Sequence, residues 1–160
     1  MPKHSVIAWM TALGKLRAKE HLSRIGIAID NLCVMCGLQE EKIEHSFFKC
    51  IFSQQCYVKI CKWLDIQTSP MDHINRCWRI CKRKFTTKKK RSICFAALAA
   101  LVYQIWYARN CAYWEKSVPW PDVIVNVVMH NVCNRVRQLI NEKWSQDWKV
   151  WLESLVRRLI

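Results

Sequence analysis

The run CVMCGLQEEKIEHSFFKC, residues 33–50, decides how this chain is expected to fold. It places Cys33, Cys36, His45 and Cys50 in the spacing C-x2-C-x8-H-x4-C. Three thiolates and one imidazole fill the tetrahedral shell of a structural zinc ion, and Gly37 lets the chain turn with positive φ directly after the second cysteine. The pattern predicts one structural Zn²⁺ held by these four side chains.

The segment between His45 and Cys50 is predicted to depart from a regular α-helix. Five residues of ideal helix rotate by about 500°, which leaves the two ligands about 140° apart on the cylinder. We therefore expect a turn or a helix start between them. Phe47 and Phe48 lie in this segment and are interpreted as the small core beneath the metal, with stacking on unpaired bases as the alternative.

Two other interpretations of the cysteines are weaker. A redox role for the Cys-x-x-Cys pair would need a thioredoxin-like βαβ context, which the sequence does not show. A second metal site would need residues whose spacing matches no pattern known for zinc. These residues are Cys56, Cys61, His73 and Cys77, with Cys81 in reserve. The remaining cysteines are interpreted as core residues: Cys94, Cys111 and Cys133.

Composition favours a folded, mainly α-helical protein that binds rather than catalyses. Of 160 residues, 52% are hydrophobic and nine are Trp, whereas Gly and Pro number only three and four. The net charge of +14 favours a nucleic-acid partner. The acidic residues are scattered, which disfavours two-metal phosphoryl transfer. We expect no enzymatic activity and no small-molecule substrate, and the isolated histidines His4, His21, His73 and His130 receive no catalytic role.

The cellular setting is predicted to be reducing and intracellular. The N-terminus lacks an apolar run followed by a small-residue cleavage site, so the ten cysteines are not interpreted as a disulfide framework. The longest apolar stretch, residues 93–108, is shorter than a bilayer span and contains Gln104. We interpret it as a buried helix and expect no membrane partner.

Helical periodicity and breakers divide the chain into a series of predicted helices. They cover residues 5–18, 19–25, 51–64, 72–83, 92–116 and 121–143, the last running on to the terminus in an alternative version. In the first, an apolar face is formed by Val6, Trp9, Met10, Leu13 and Leu16. Near the C-terminus, a stripe of Trp144, Trp148, Trp151 and Leu155 is interpreted as buried against the 92–116 helix, with a protein-partner surface as the alternative.

The run KRKFTTKKKR, residues 82–91, is predicted to be a basic linker or exposed loop. It separates a zinc-binding domain, residues 1–81, from a helical C-terminal region, residues 92–160, that forms a hairpin or bundle. Its cations are the predicted nucleic-acid contacts: Lys82, Arg83, Lys84, Lys88, Lys89, Lys90 and Arg91. A nuclear-import signal and a merely solvated linker are the alternatives.

Several motifs together resemble the reverse-transcriptase zinc-binding domain of plant non-LTR (LINE-type) retrotransposon proteins. They are PKHSVIAWMTALGKLRAKEHLSRIGI (residues 2–27), CVMCGLQEEKIEHSFFKCIFSQQCYVKICKWL (residues 33–64) and LAALVYQIWYARNCAYWE (residues 98–115). The matching positions are Trp9, Leu16, Leu22, Gly26, Cys33, Cys36, Gly37, Glu41, His45, Phe47, Phe48 and Cys50. Ile51 departs from the family's usual Pro, but it is not a ligand.

The resemblance implies a zinc-binding accessory domain that contacts RNA or single-stranded DNA during reverse transcription. No YxDD-like polymerase motif occurs in the chain, so we expect no polymerase activity. We also expect a nuclear location. Two alternatives stay open: a protein–protein interaction module in which zinc is only a structural staple, and a non-functional retroelement remnant.

Overall fold

The computed structural model describes residues 2–67, 73–139 and 145–158, and this part of the chain is mainly helical. Its elements are α1 (Pro2–Ala12), α2 (Lys19–Arg24), a π-helical turn (His45–Lys49), α3 (Ile51–Trp63), α4 (Ile74–Lys84), α5 (Lys88–Trp114), α6 (Pro121–Leu139) and α7 (Gln146–Arg157). Within these ranges the chain forms no strand, only an isolated bridge between Leu32 and Glu40. The mainly α fold predicted from the sequence is confirmed.

Helix α5 is the centre of the fold. It contacts α1, α3, α4, α6 and the π-helical turn. Three alanines on it, Ala97, Ala100 and Ala108, have no exposed surface, which lets neighbouring helices approach closely. By length and composition alone α5 could cross a bilayer, but 44% of its most apolar window is buried within this fold. The buried helix predicted over residues 93–108 is thus the core helix.

A single cluster of buried side chains extends from Ala8 in α1 to Leu155 in α7. Helix α7 joins it through Trp63, whose Nε1 donates to the Leu155 carbonyl at 2.9 Å, while Arg158 donates to the Trp63 carbonyl at 2.9 Å. The two predicted domains therefore share one core, and the boundary between them stays a prediction.

The basic run is not the loop that the sequence predicted. Residues 82–84 form the last turn of α4, residues 88–91 form the first turn of α5, and only Phe85–Thr87 connect them. Phe85 is 6% exposed and packs edge-to-face on Trp151, with ring centroids 6.0 Å apart. This tertiary contact shortens the connection to three residues, so α5 begins at Lys88 and not at Ser92.

The C-terminal Trp stripe is buried, as predicted, but against other partners. Trp148 and Leu155 are 8% and 2% exposed and Trp151 is half-buried. They pack on the end of α3 and the start of α5, not along the middle of α5. Trp144, the start of the predicted 72–83 helix and the end of the predicted 121–143 helix lie outside the described residues.

Helix α1 turns a different face to the core than its apolar pattern indicates. His4, Ala8 and Thr11 are buried, whereas Trp9 is 58% exposed and Val6 is 50% exposed. The small Ala8 side chain suits close packing on the alanine-rich α5, and His4 stacks on Tyr103 with centroids 4.5 Å apart. The predicted apolar face of α1 is therefore largely solvent-facing.

A disulfide joins Cys81 of α4 to Cys94 of α5 inside the core. Both residues are almost fully buried, at 1% and 0% exposure. The interpretation of Cys94 as a core residue is right about its burial, but the pairing differs from the reduced thiols that the sequence favoured.

Candidate metal centre

The four predicted ligands meet at one point. The ligand atoms of Cys33, Cys36, His45 and Cys50 all lie within 4.8 Å of one another. Cys33 and Cys50 are 2% and 0% exposed, His45 is 6% exposed, and Cys36 is half-buried. The cluster is thus a nearly closed site with one edge, at Cys36, towards solvent.

The separations between these atoms fit tetrahedral zinc. Bond lengths typical of zinc sites imply about 3.8 Å between two thiolate sulfurs and about 3.6 Å between a sulfur and an imidazole nitrogen. The Sγ atoms of Cys33 and Cys50 are 3.9 Å apart, and Cys36 Sγ lies 3.3 Å from His45 Nε2. Four soft or borderline ligands at these distances indicate a closed structural site, not a catalytic one with an open position.

A short hairpin-like loop presents the first two cysteines. The N–H of Cys33 donates to the Gln39 carbonyl at 2.7 Å, beside the bridge between Leu32 and Glu40. Gly37 has φ +67°, and its N–H donates to the Cys33 carbonyl at 2.7 Å. This closes the turn around Val34 and Met35, as the predicted role of Gly37 requires.

The third and fourth ligands flank an irregular helical turn, as predicted. Residues His45–Lys49 are π-helical, and Cys50, with φ −61° and ψ 133°, is the N-cap residue of α3. The Cys50 N–H donates to the His45 carbonyl at 2.7 Å. Ser53 and Gln54 of α3 donate to the carbonyls of Ser46 and Phe48. The wider turn brings both ligands to the same side, which a regular α-helix would not do.

Zinc binding would displace thiol protons from this cluster. The Cys33 thiol donates a hydrogen bond to the Cys50 sulfur, which raises the pKa of Cys33 and lowers the pKa of Cys50. Burial lowers the pKa of His45, so its imidazole is neutral at pH 7. Zinc binds neutral imidazole and thiolates and releases the thiol protons when it binds.

Glu41 is a buried carboxylate beside the metal loop, the turn at residues 33–37 that presents Cys33 and Cys36. The sequence pattern did not reveal the role of Glu41. Its Oε2 accepts from the Val34 N–H at 3.2 Å, inside the Cys33–Cys36 turn. Its Oε1 accepts from the Lys19 N–H at 2.7 Å, at the start of α2. With 0% exposure, Glu41 links α2 to the turn that presents two ligands.

Arg109 of α5 is the charge partner of Glu41. Its Nη2 and Nε donate to Glu41 Oε1 at 2.6 and 3.0 Å, and its side chain is 4% exposed. The guanidinium lies between Trp106 and Tyr113, with ring centroids 5.2 and 4.9 Å away. This pair ties the metal loop to the central helix across 68 residues of sequence.

Phe47 and Phe48 belong to the core, as the main interpretation held. They are 2% and 3% exposed. Phe47 stacks on Trp106 with centroids 6.1 Å apart, and Phe48 stacks on His73 at 6.0 Å. Neither ring is free to stack on a base.

The second group of candidate ligands is not assembled. In the described ranges, the only set of three or more metal-binding side chains is the Cys33 cluster. His73 instead caps α4 by accepting from the Asn75 N–H, and Cys56 lies 3.8 Å from the Pro121 carbonyl. Cys61 and Cys77 are buried in the core.

The fold and site thus define a helical protein with a Cys₃His cluster of structural-zinc type. Residues 1–57 match the family model described as zinc-binding in reverse transcriptase. The match covers about a third of the chain and includes all four cluster residues. No curated protein and no solved structure matches the chain significantly.

Proposed function

We propose that this protein is a non-catalytic zinc module that binds RNA or single-stranded DNA, similar to the accessory zinc domain of plant LINE-type reverse transcriptases. The observation that carries the proposal is a closed Cys₃His cluster in a chain of net charge +14. The match of residues 1–57 supports it. A nuclear location, served by the basic run as an import signal, is part of the proposal.

The position of the basic residues supports a role in binding. Lys82–Lys84 end α4, where cations favour the helix dipole, but Lys88–Arg91 begin α5, where cations oppose it. A basic first turn therefore lowers helix stability slightly. Its cost is explained if these side chains face a polyanion.

Two lysines of the basic run contact aromatic rings of α7. The ammonium of Lys90 lies 5.3 Å from the Trp151 ring centroid and 5.8 Å from that of Trp148, and Lys89 lies 5.8 Å from Trp148. These contacts hold α7 against α5. Arg83 and Lys88 are exposed and are better suited to contact phosphates.

We expect the purified protein to retain about one zinc per chain after exhaustive dialysis. The described residues contain a single cluster with the ligand number that a structural site requires. Elemental analysis of the dialysed protein measures the ratio. A ratio near two would place a second ion elsewhere in the chain, and folded protein without zinc would contradict the metal assignment.

Reversing two exposed charges, Arg83→Glu with Lys88→Glu, is expected to weaken nucleic-acid binding. Loss of two phosphate contacts reduces the slope of log affinity against log salt by about 1.4 for single strands. Folding should survive, because the favourable effect of Lys88→Glu on the α5 dipole offsets the unfavourable effect of Arg83→Glu at the end of α4. Fluorescence anisotropy with a labelled oligonucleotide over a salt series measures the change.

The matched control is Arg135→Glu with Arg137→Glu on α6, which changes the net charge equally and is expected to keep more of the affinity. If both pairs reduced the affinity equally, the basic run would not be the contact surface. If the wild-type affinity depended neither on salt nor on the zinc ligands, the proposed function would be wrong.

A protein-interaction role is the second candidate, with zinc as a structural staple. Trp120 is 79% exposed and lines a shallow pocket of about 310 Å³ with Val118, Ile51 and Met35 of the metal loop. We propose this surface as the partner-binding site instead of the Trp stripe of α7, because that stripe is largely buried. A complex through it should survive the Arg83 and Lys88 reversals and weaken in Trp120→Ser.

A further inference from the structure

An aromatic pocket opens between α1, α4 and α5, away from the metal cluster. Trp9, Trp78 and Phe95 form its walls, and the small side chains of Ala96 and Ala99 leave room on the α5 side. Its volume is about 480 Å³. The lining of this pocket thus combines three large rings with small side chains.

The exposed ring in this pocket has a clear structural origin. Helix α1 docks on α5 through His4, Ala8 and Thr11, which leaves the neighbouring Trp9 58% exposed. Trp78 and Phe95 are half-buried and meet edge-to-face, with centroids 6.5 Å apart. The Trp9 indole is therefore held on a rigid helix beside two fixed rings, with much of its surface open to solvent.

Two lysines lie at or near the aromatic pocket. Lys82 of α4 lines it, and Lys15 Nζ lies 6.0 Å from the Trp9 ring centroid. Lys15 also lines a second groove, whose charged residues are the cations Arg17, Arg24 and Lys42 and the carboxylates Glu20 and Glu44. Among the described residues that line the aromatic pocket, none is acidic. The charge therefore complements an anionic chain passing over the rings.

We infer that this pocket binds an unpaired base of a single-stranded nucleic acid, with the backbone running from Lys82 across Trp9 to Lys15. Stacking of a base on an aromatic side chain contributes about 1–3 kcal/mol and is tolerant of sequence, while Lys side chains bind the adjacent phosphates. The inference rests on the proposed nucleic-acid binding and adds its site, which contains none of the four metal-cluster residues.

The test compares Trp9→Ala with wild type, both zinc-loaded, using labelled single-stranded RNA, single-stranded DNA and an abasic strand of the same length. The variant should lose roughly 5- to 150-fold in affinity for strands that carry bases. It should lose little for the abasic strand, which offers only phosphates. Trp9→Phe should recover most of the loss. Similar losses for RNA and DNA would show that the base is bound without contact to the 2′-hydroxyl, and a loss confined to RNA would add that contact.

Trp114→Ala is the matched control, because Trp114 is also a solvent-exposed Trp, at 72% exposure, and lies outside this pocket. If wild type binds strands and Trp9→Ala binds them equally well, or loses equally for the abasic strand, the inference fails and the proposed function stands. If wild type binds no strand, the proposed function fails first. A Trp9→Ala defect seen only with anionic lipid vesicles would assign the pocket to a membrane surface instead.

Discussion

A Cys36→Ser variant is expected to lose its zinc and to unfold between α1 and α3. Cys36 supplies one of four ligands, and zinc binding in small fingers contributes folding free energy on the order of 10 kcal/mol. Residues 13–50 contain little regular structure, only a six-residue helix and the π-helical turn, so their order depends on the zinc together with tertiary contacts such as the Glu41–Arg109 pair. Hydrogen exchange measures the loss at the Cys33, Gly37 and Glu41 amides, which are bonded to backbone carbonyls in the closed loop.

The unfolding is expected to be local. Helices α3, α5 and α6 pack on one another independently of the cluster, so the far-UV circular dichroism should fall only modestly while the melting curve shifts down or splits. Chelation of zinc from wild type should reproduce the same exchange pattern. The matched control is Cys111→Ser, a similarly half-buried cysteine outside the cluster. A Cys36→Ser protein with wild-type exchange and melting would disprove a structural zinc.

The metal cluster could be predicted from sequence because its determinants are local. All four ligands lie within residues 33–50, Gly37 marks the turn, and the rotation of an ideal helix already excluded a regular segment between His45 and Cys50. Most helices were also accessible, since periodicity and delimiting Pro residues are properties of neighbouring residues, but their bounds were less so: the helix predicted over residues 5–18 ends at Ala12.

What could not be predicted depends on contacts between distant segments. The burial of Phe85 against Trp151 turns a polar, positively charged run into two helix ends, and no local pattern encodes that contact. The same holds for α1, where packing on the alanines of α5 selects the His4–Ala8–Thr11 face over the more apolar one. Hydrophobic periodicity measures amphipathicity and not which partner a helix will meet.

Glu41 shows the limit most clearly. The resemblance placed it in a motif four residues before His45, but nothing near it in sequence explains a buried carboxylate. Its partner, Arg109, lies 68 residues away in a helix that is mostly apolar in sequence. Only the fold shows that the motif residue is the link between the metal loop and α5.

Replacing Arg109 by Met is expected to destabilise the protein by about 3–5 kcal/mol, because it leaves the Glu41 carboxylate buried without a counter-charge. At roughly 2–4 °C per kcal/mol for a chain of this size, the melting temperature should fall by about 6–20 °C. Thermal melts of the zinc-loaded protein measure the change. Lys84→Met is the control: Lys84 and Asp65 form an exposed pair at 3.3 Å, whose loss should cost less than about 1 kcal/mol.

The double variant Glu41→Met with Arg109→Met separates charge from architecture. Removing both charges should recover part of the loss, because the uncompensated carboxylate is gone. Recovery should be incomplete, since the N–H groups of Lys19 and Val34 lose their common acceptor, and each orphaned donor costs about 1–3 kcal/mol. Zinc affinity should fall in the double variant as well, because Val34 lies between two ligands and its N–H fixes the turn. Full recovery of stability and unchanged zinc affinity would mean that Glu41 only neutralises Arg109 and does not position the metal loop.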